Sequence, residues 1–333
     1  MKKTFYYLLL ALVFILVGWF LNVAYNLPKS SNNPISSVIP KPLEKYTIEN
    51  LAKINFKEGK IKVGEILKED PKYTSYEFSF EFSPDLSNDL KKTSGLINIP
   101  QGNGPFPVVV LYRGYIDQKA YKTGDGTKRV GEYFASNGFI TVAPDFLGYA
   151  QSDKEAGSIF ESRFQTYVTA LNILSSVKTL DNWDEKNIFI WGHSNGGQVA
   201  LTVLEESGVN YPTVLWAPVS KPFPYSILYY TDESDDHGKL IRSELSKFED
   251  SYDVERYSLT NYLNKIKAPI SLYQGSYDDA VPVSWSDSLN KTLESNEIEV
   301  KYHKYPGVDH NMNPLWSSIV QSSLEFFNKN LIN

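Results

Sequence analysis

The sequence predicts an α/β domain built on a mostly parallel central sheet with helices on both faces, and three features point to it. Short continuous apolar runs, such as Val108–Tyr112 (VVVLY) and Asn187–Trp191 (NIFIW), are separated by segments of helical spacing. Strands buried on both faces read this way. Ahead of them lie segments that alternate apolar and polar residues, as antiparallel strands with one wet face do. About 290 residues follow an N-terminal stretch of different character, a normal length for one α/β domain.

Along the chain, the N-terminus comes first. Lys2 and Lys3 precede an apolar run from Phe5 to Leu21. A membrane-spanning helix needs about 20 such residues, whereas the apolar part of a secretory peptide has about 7–15. No small-x-small cleavage site is evident, and Trp19, Phe20 and Tyr25 suit the headgroup layer. Residues 1–25 are therefore expected to form an uncleaved single-pass membrane anchor, with the Lys pair cytoplasmic and the rest outside. The alternative is a cleaved signal peptide and a secreted domain. Residues 26–45, with Pro28, Pro34, Pro40 and Pro42 among Ser and Asn, are expected to be an extended linker. Residues 46–333 then form the folded domain.

Antiparallel strands are expected at Ile61–Leu67, at Tyr73–Phe82 with Tyr76, Phe78, Phe80 and Phe82 on one face, and at Gly95–Ile99. Buried strands are expected at Val108–Tyr112, Ile140–Val142, Asn187–Trp191, Thr213–Trp216, Pro269–Tyr273 and Ile298–His303. Helices are expected at Arg129–Asn137, Phe160–Val177, Gly196–Ser207, Trp285–Leu293 and Trp316–Asn328. Residues 222–267 break this rhythm. They are far longer than a usual connection and read as a cap or lid insertion at the sheet's carboxyl edge, where open α/β sheets bind ligands.

Composition narrows the function. The chain has a net charge of −6 and no basic tract after the N-terminus, which argues against a nucleic-acid partner. It has no cysteine, which excludes disulfides, thiolate metal sites and a cysteine nucleophile. Neither H-E-x-x-H nor a phosphate-binding loop is present, so no metal or organic cofactor is expected.

The chemistry is carried by Gly192-His193-Ser194-Asn195-Gly196, directly after the NIFIW strand and before a helical segment. In that context G-x-S-x-G forms a strained turn that lifts Ser194 Oγ clear of the sheet edge, with Gly192 and Gly196 permitting the close packing. A hydroxyl is a weak nucleophile until a base takes its proton. Of the four histidines, His193 sits inside the motif and is expected to point away from the nucleophile's partner. His237 falls in the insertion, and His303 ends a strand and is expected to pack. His310, in the loop Pro306–Asn311 between the last strand and last helix, is the expected base. The acid should follow the Pro269–Tyr273 strand, where Asp278 and Asp279 stand side by side; residue spacing does not separate them.

The segments WGHSNGG, YQGSYDDAVP and YPGVDHNM resemble the catalytic domain of the prolyl oligopeptidase serine peptidases, within the α/β-hydrolase superfamily and near the dienelactone-hydrolase-like esterases. The likeness covers about residues 75–330. It implies the α/β-hydrolase fold and makes Asp278 the acid of a Ser194, Asp278, His310 triad. It also implies an oxyanion hole built from the amides of Tyr115 and Asn195. Two positions depart from the pattern: Arg113 stands where relatives usually have His before Gly114, and Leu147 where they commonly have Arg. A charge at Arg113 could compensate for the one missing at 147, or Arg113 could be a solvated side chain. The large β-propeller of full-length relatives has no room between the linker and the first strands.

The expected activity is that of a serine hydrolase cleaving peptide or aminoacyl bonds through an acyl-enzyme. The alternatives are a carboxylesterase acting on small acyl esters, and an inactive hydrolase fold used as a surface binding module. The expected partners are a small-molecule or peptide substrate and, through the N-terminal helix, the membrane. Two features of the insertion bear on selectivity. The run Asp232-Glu233-Ser234-Asp235-Asp236 could attract a cation or simply cap a helix. Phe223, Tyr225, Tyr229 and Tyr230 could line a substrate pocket or form the insertion's own core.

Overall fold

The ten residues of YTSYEFSFEF form one strand, β2 (Tyr73–Phe82), with Phe78, Phe80 and Phe82 buried on one face and Glu81 exposed between them. β2 pairs antiparallel with β1 (Lys62–Glu69) and, without a register shift, with β3 (Lys91–Pro100). The remaining strands are β4 (Phe106–Tyr112), β5 (Ile140–Pro144), β6 (Trp183–His193), β7 (Thr213–Trp216), β8 (Ile270–Gly275) and β9 (Val300–Tyr305). The computed structural model describes residues 40–231 and 234–332. The anchor expected at 1–25, and the linker as far as residue 39, lie outside the described residues. Among the described residues no helix is long and apolar enough to cross a membrane.

The nine strands form one sheet in the order β1-β2-β3-β5-β4-β6-β7-β8-β9. β3 runs antiparallel to β5, and every pair from β5 to β9 is parallel. α1 (Lys128–Ala135) and α6 (Trp316–Lys329) bury Phe134, Ile319 and Phe327 against one face. α2 (Ile159–Ser176), α3 (Asn195–Ser207) and α5 (Val283–Ser295) bury Phe164, Leu201 and Leu293 against the other. From β4 the chain crosses to β5 on one side, then returns to β6 on the other. The loops after β4 and β6 therefore diverge, and the crevice between them is where such sheets hold ligands.

The linker ends sooner than its composition suggests. Lys41–Asn333 form one unit. Glu44–Tyr46 is a 3-10 turn and Ile48–Leu51 a helical turn capped by Thr47. The physical reason is burial: Tyr46, Ile48 and Leu51 are core residues, and Tyr46 packs against Phe164 of α2.

Residues 222–267 carry a short helix, α4 (Lys239–Glu249), and several turns. Phe223, Phe248 and Tyr257 form an aromatic cluster with Phe160 and Phe164, at the end of α2 nearest the carboxyl edge. Tyr225, Tyr229 and Tyr230 instead surround Trp285 of α5. Of the acidic run, residues 232 and 233 lie outside the described residues. Asp236 accepts from the Gly238 and Leu240 amides, so it caps the start of α4.

α3 is buried along almost its whole length, so its last turn takes two carboxyl groups inside. Glu205 and Glu206 are buried, and among the described residues none of their four oxygens has a hydrogen-bond partner. Burial raises both well above the usual carboxylate range; their proximity to each other raises Glu205 further, while Lys265 opposes the shift. Below the unfolded-state value both states hold the protons and stability is unaffected. As pH rises above it the unfolded chain releases them first, so the folded state loses ground. Glu205→Gln with Glu206→Gln is therefore expected to raise the melting temperature. The gain should be larger at pH 8 than at pH 5, as melting curves at the two pH values would show.

Candidate active site

β6 ends in Gly192 and His193, and α3 begins at Asn195. Between them Ser194 has φ 56° and ψ −120°, a strained conformation that persists only where its surroundings enforce it. They do so through the backbone: Ser194 N–H donates to Trp216 O at 3.0 Å, and Ser194 O accepts from Val219 N at 3.0 Å. The turn is also sterically closed. A Cβ on Gly196 would stand 1.9 Å from the Tyr112 carbonyl oxygen, and one on Gly192 would stand 2.6 Å from Gly196 O. Both flanking glycines are required because three backbone segments meet there.

The loop after β4 closes on the same point. A Cβ at Gly114 would lie 3.2 Å from Ser194 Cβ, so this loop runs directly past Ser194. Tyr115 and Asn195 line one cavity. Asn195 is the first residue of α3, and the first amides of a helix have no intrahelical acceptor. Among the described residues no acceptor takes either the Tyr115 or the Asn195 N–H. Arg113 is not solvated. It is buried beneath the loop, donating from Nη1 to Gly114 O at 3.0 Å and from Nη2 to Asp145 O at 3.1 Å. Its guanidinium lies 4.0 Å from the Tyr149 ring centre and 4.5 Å from that of Tyr121. Aromatic faces thus hold the cation, and the cation ties the loops after β4 and β5 together. Spacing alone gave no hint of this role.

At the far side, β8 ends at Gly275, where a Cβ would meet Val308 O at 2.1 Å. That approach lets the loop after β9 fold over the end of β8, with Tyr277 N–H donating to Val308 O at 2.9 Å. It brings His310 to Asp278: Nδ1 lies 2.9 Å from Oδ2 and 3.0 Å from Oδ1. Asp279, by contrast, is exposed. Burial works to raise the Asp278 carboxyl. Bonds from His310, Val281 N–H and Gln274 Nε2 outweigh it and hold the group below the usual range. Gln274 is itself fixed by Ser286, whose hydroxyl donates to Oε1 at 2.7 Å. The ionised carboxylate accepts, so Nδ1 carries the proton and Nε2 is left as the basic nitrogen. Among the described residues Ser194 Oγ makes no hydrogen bond to that nitrogen. Such bonds are often long without substrate and tighten in the complex.

The expectation for His193 is overturned. Its ring does not turn away from His310 but lies 4.6 Å from the His310 ring, and Nε2 donates to the His310 backbone carbonyl at 3.0 Å. The loop after β9 carries the His310 carbonyl over the end of β6, within reach of the ring. Burial, aided by the nearby His310, pushes its pKa down to about 4, so the imidazole is neutral and donates as a fixed tautomer. His303 packs as expected, stacked on Tyr273 with centres 4.6 Å apart. Among the described residues no three His, Asp or Glu side chains gather as metal ligands would.

A sequence model of the prolyl oligopeptidase family matches residues 127–332, a span that holds Ser194, Asp278 and His310 but not the Arg113–Tyr115 loop. The chain is 27% identical over 234 residues to an uncharacterized peptidase, YtmA, of Bacillus subtilis (strain 168), covering 69% of this chain and 85% of that protein. It is 22% identical over 244 residues to acetyl esterase Axe7A of Xylanibacter ruminicola, covering 65% of this chain and 52% of the esterase, about half its length. Among solved structures, the acetyl xylan esterase of Paenibacillus sp. R4 superposes with a TM-score of 0.62 at 17% identity, over 84% of this chain and 91% of that one. At that identity the likeness is one of fold.

Proposed function

The chain belongs to the prolyl oligopeptidase family, and on that premise we propose that it hydrolyses short acyl esters and related amides through an acyl-enzyme on Ser194. One observation carries the reading. A serine held at φ 56° at the mouth of the β4–β6 crevice shares the sheet edge with the Asp278–His310 pair.

In this mechanism His310 Nε2 takes the Ser194 proton as Oγ attacks the carbonyl. The Tyr115 and Asn195 amides donate to the developing oxyanion, aided by the positive end of α3. His310 then protonates the leaving group, and water repeats the cycle. Asp278 keeps Nδ1 protonated and stabilises the imidazolium.

Small acyl groups are favoured by the cavity at the oxyanion amides, which measures about 190 Å³, and by the likeness to an acetyl esterase noted above. Family membership supports a second reading, cleavage of aminoacyl or peptide bonds. Turnover of short-chain acyl esters and of aminoacyl amides by one purified preparation separates the two: ester turnover well above amide turnover is expected, and the reverse order would favour the peptidase. We also place the domain outside the cytoplasm, tethered by residues 1–25. Protease accessibility in intact cells and retention in the membrane fraction would test that placement.

His193 acts as a positioning residue here. His193→Ala removes the donor to the His310 carbonyl and is expected to lower kcat roughly ten- to a hundredfold with little change in KM, as a misplaced base does. His193→Gln, which keeps an N–H donor, should recover part of it. Equal losses in both variants would assign His193 to packing alone.

A further inference from the structure

The cavity that opens from Tyr115 and Asn195 has two kinds of lining. Phe146, Leu147 and Val199 make part of it apolar. The other part carries Arg163, from the second turn of α2. Its Nη2 donates to Gln198 Oε1 at 2.8 Å, a neutral amide, the guanidinium also stands beside the Tyr167 hydroxyl, and its Nε has no partner among the described residues. The cavity's acidic residue, Glu155, does not neutralise it. Glu155 is turned to Gln118 Nε2 at 2.9 Å and to the Ser162 hydroxyl.

Bonded only to neutral groups, the guanidinium keeps its full charge, and its terminal Nη groups, unlike the enclosed Nε, are what a ligand in the cavity can reach. A planar carboxylate is the acceptor that fits its fork of donors. The apolar part of the lining suits a few methylene groups, and about 190 Å³ leaves room for little more. We propose that Arg163 selects substrates bearing a carboxylate a few carbons from the scissile carbonyl. This rests on the reading of Ser194 as a hydrolytic nucleophile. The carboxylate can belong to the acyl group, as in a dicarboxylic half-ester, or to the leaving group.

Two substrate pairs distinguish these sources. Monomethyl succinate against methyl butanoate places the charge on the acyl side. 4-Acetoxybenzoate against phenyl acetate places it on the leaving group. With acid release as the readout, the wild type is expected to favour the anionic member of one pair. Arg163→Gln should lower kcat/KM for that ester about tenfold or more and leave the neutral partner unchanged. Arg163→Lys, which keeps the charge but loses the fork, should fall between them, and it serves as the test if the glutamine variant does not fold. An equal effect on neutral and anionic esters, or no preference in the wild type while Ser194 still reacts with a fluorophosphonate, overturns the proposal and leaves the hydrolase standing. Absence of that reaction would strike the hydrolase reading itself.

Discussion

Ser194→Ala is expected to lower kcat by more than about 10³-fold, since the members of a triad act as a unit. The fold should survive it. The strained turn is held by Ser194 backbone bonds to Trp216 and Val219 and by the glycines around it, none of which involves the hydroxyl. Alanine at φ 56° is strained no more than serine is. The variant should therefore melt within a degree or two of the wild type while its turnover is lost. His310→Ala should lose nearly as much, and the double variant scarcely more than either single one, because each change removes the same proton transfer. Steady-state kinetics on the preferred ester, beside melting curves, would show both.

Asp278→Asn should cost about 10³–10⁴-fold in kcat by a different route. The carboxylate accepts from Ala280 N–H at 3.0 Å, Val281 N–H at 2.7 Å and Gln274 Nε2 at 2.8 Å, as well as from His310. An amide has one accepting oxygen where the carboxylate has two. Turned to the backbone donors, it presents an N–H₂ to His310, and the imidazole must then carry its proton on Nε2, where it cannot accept from Ser194. Turned the other way, it leaves the Ala280 and Val281 amides unpaired at a cost of about 1–3 kcal/mol. Lost turnover and a lower melting temperature are thus both expected. Asp279→Asn, at an exposed position, should change neither by much.

Much of the frame was legible in the chain, because strands buried on both faces and a strand–serine–helix junction have few other readings. β2 falls at the residues its alternation marks, and every expected helix is present to within a few residues. The choice between Asp278 and Asp279 was not legible from spacing, since it turns on the path of a loop after the strand; only family likeness indicated it. Composition placed residues 41–45 in the linker, because Pro42 and polar neighbours outweigh one leucine in any local count. What folds them is contact with the 222–267 segment, far along the chain, where Tyr252 and Tyr257 bond Leu43 and Arg256 pairs with Glu44. The direction of His193 is not legible for the same reason, and neither is the choice between the two roles left open for Arg113. One histidine in a motif, or one arginine after a strand, says nothing of the carbonyl it will meet: His310 O in one case, Gly114 O and Asp145 O in the other.

The relay proposed for residues 194, 310 and 278 is best tested by treating the purified protein with a fluorophosphonate and locating the adduct by mass spectrometry. The geometry predicts one adduct, on the peptide containing Ser194, formed far more slowly in His310→Ala and Asp278→Asn. An adduct on another residue, or labelling of Ser194 at an undiminished rate in both variants, would contradict it.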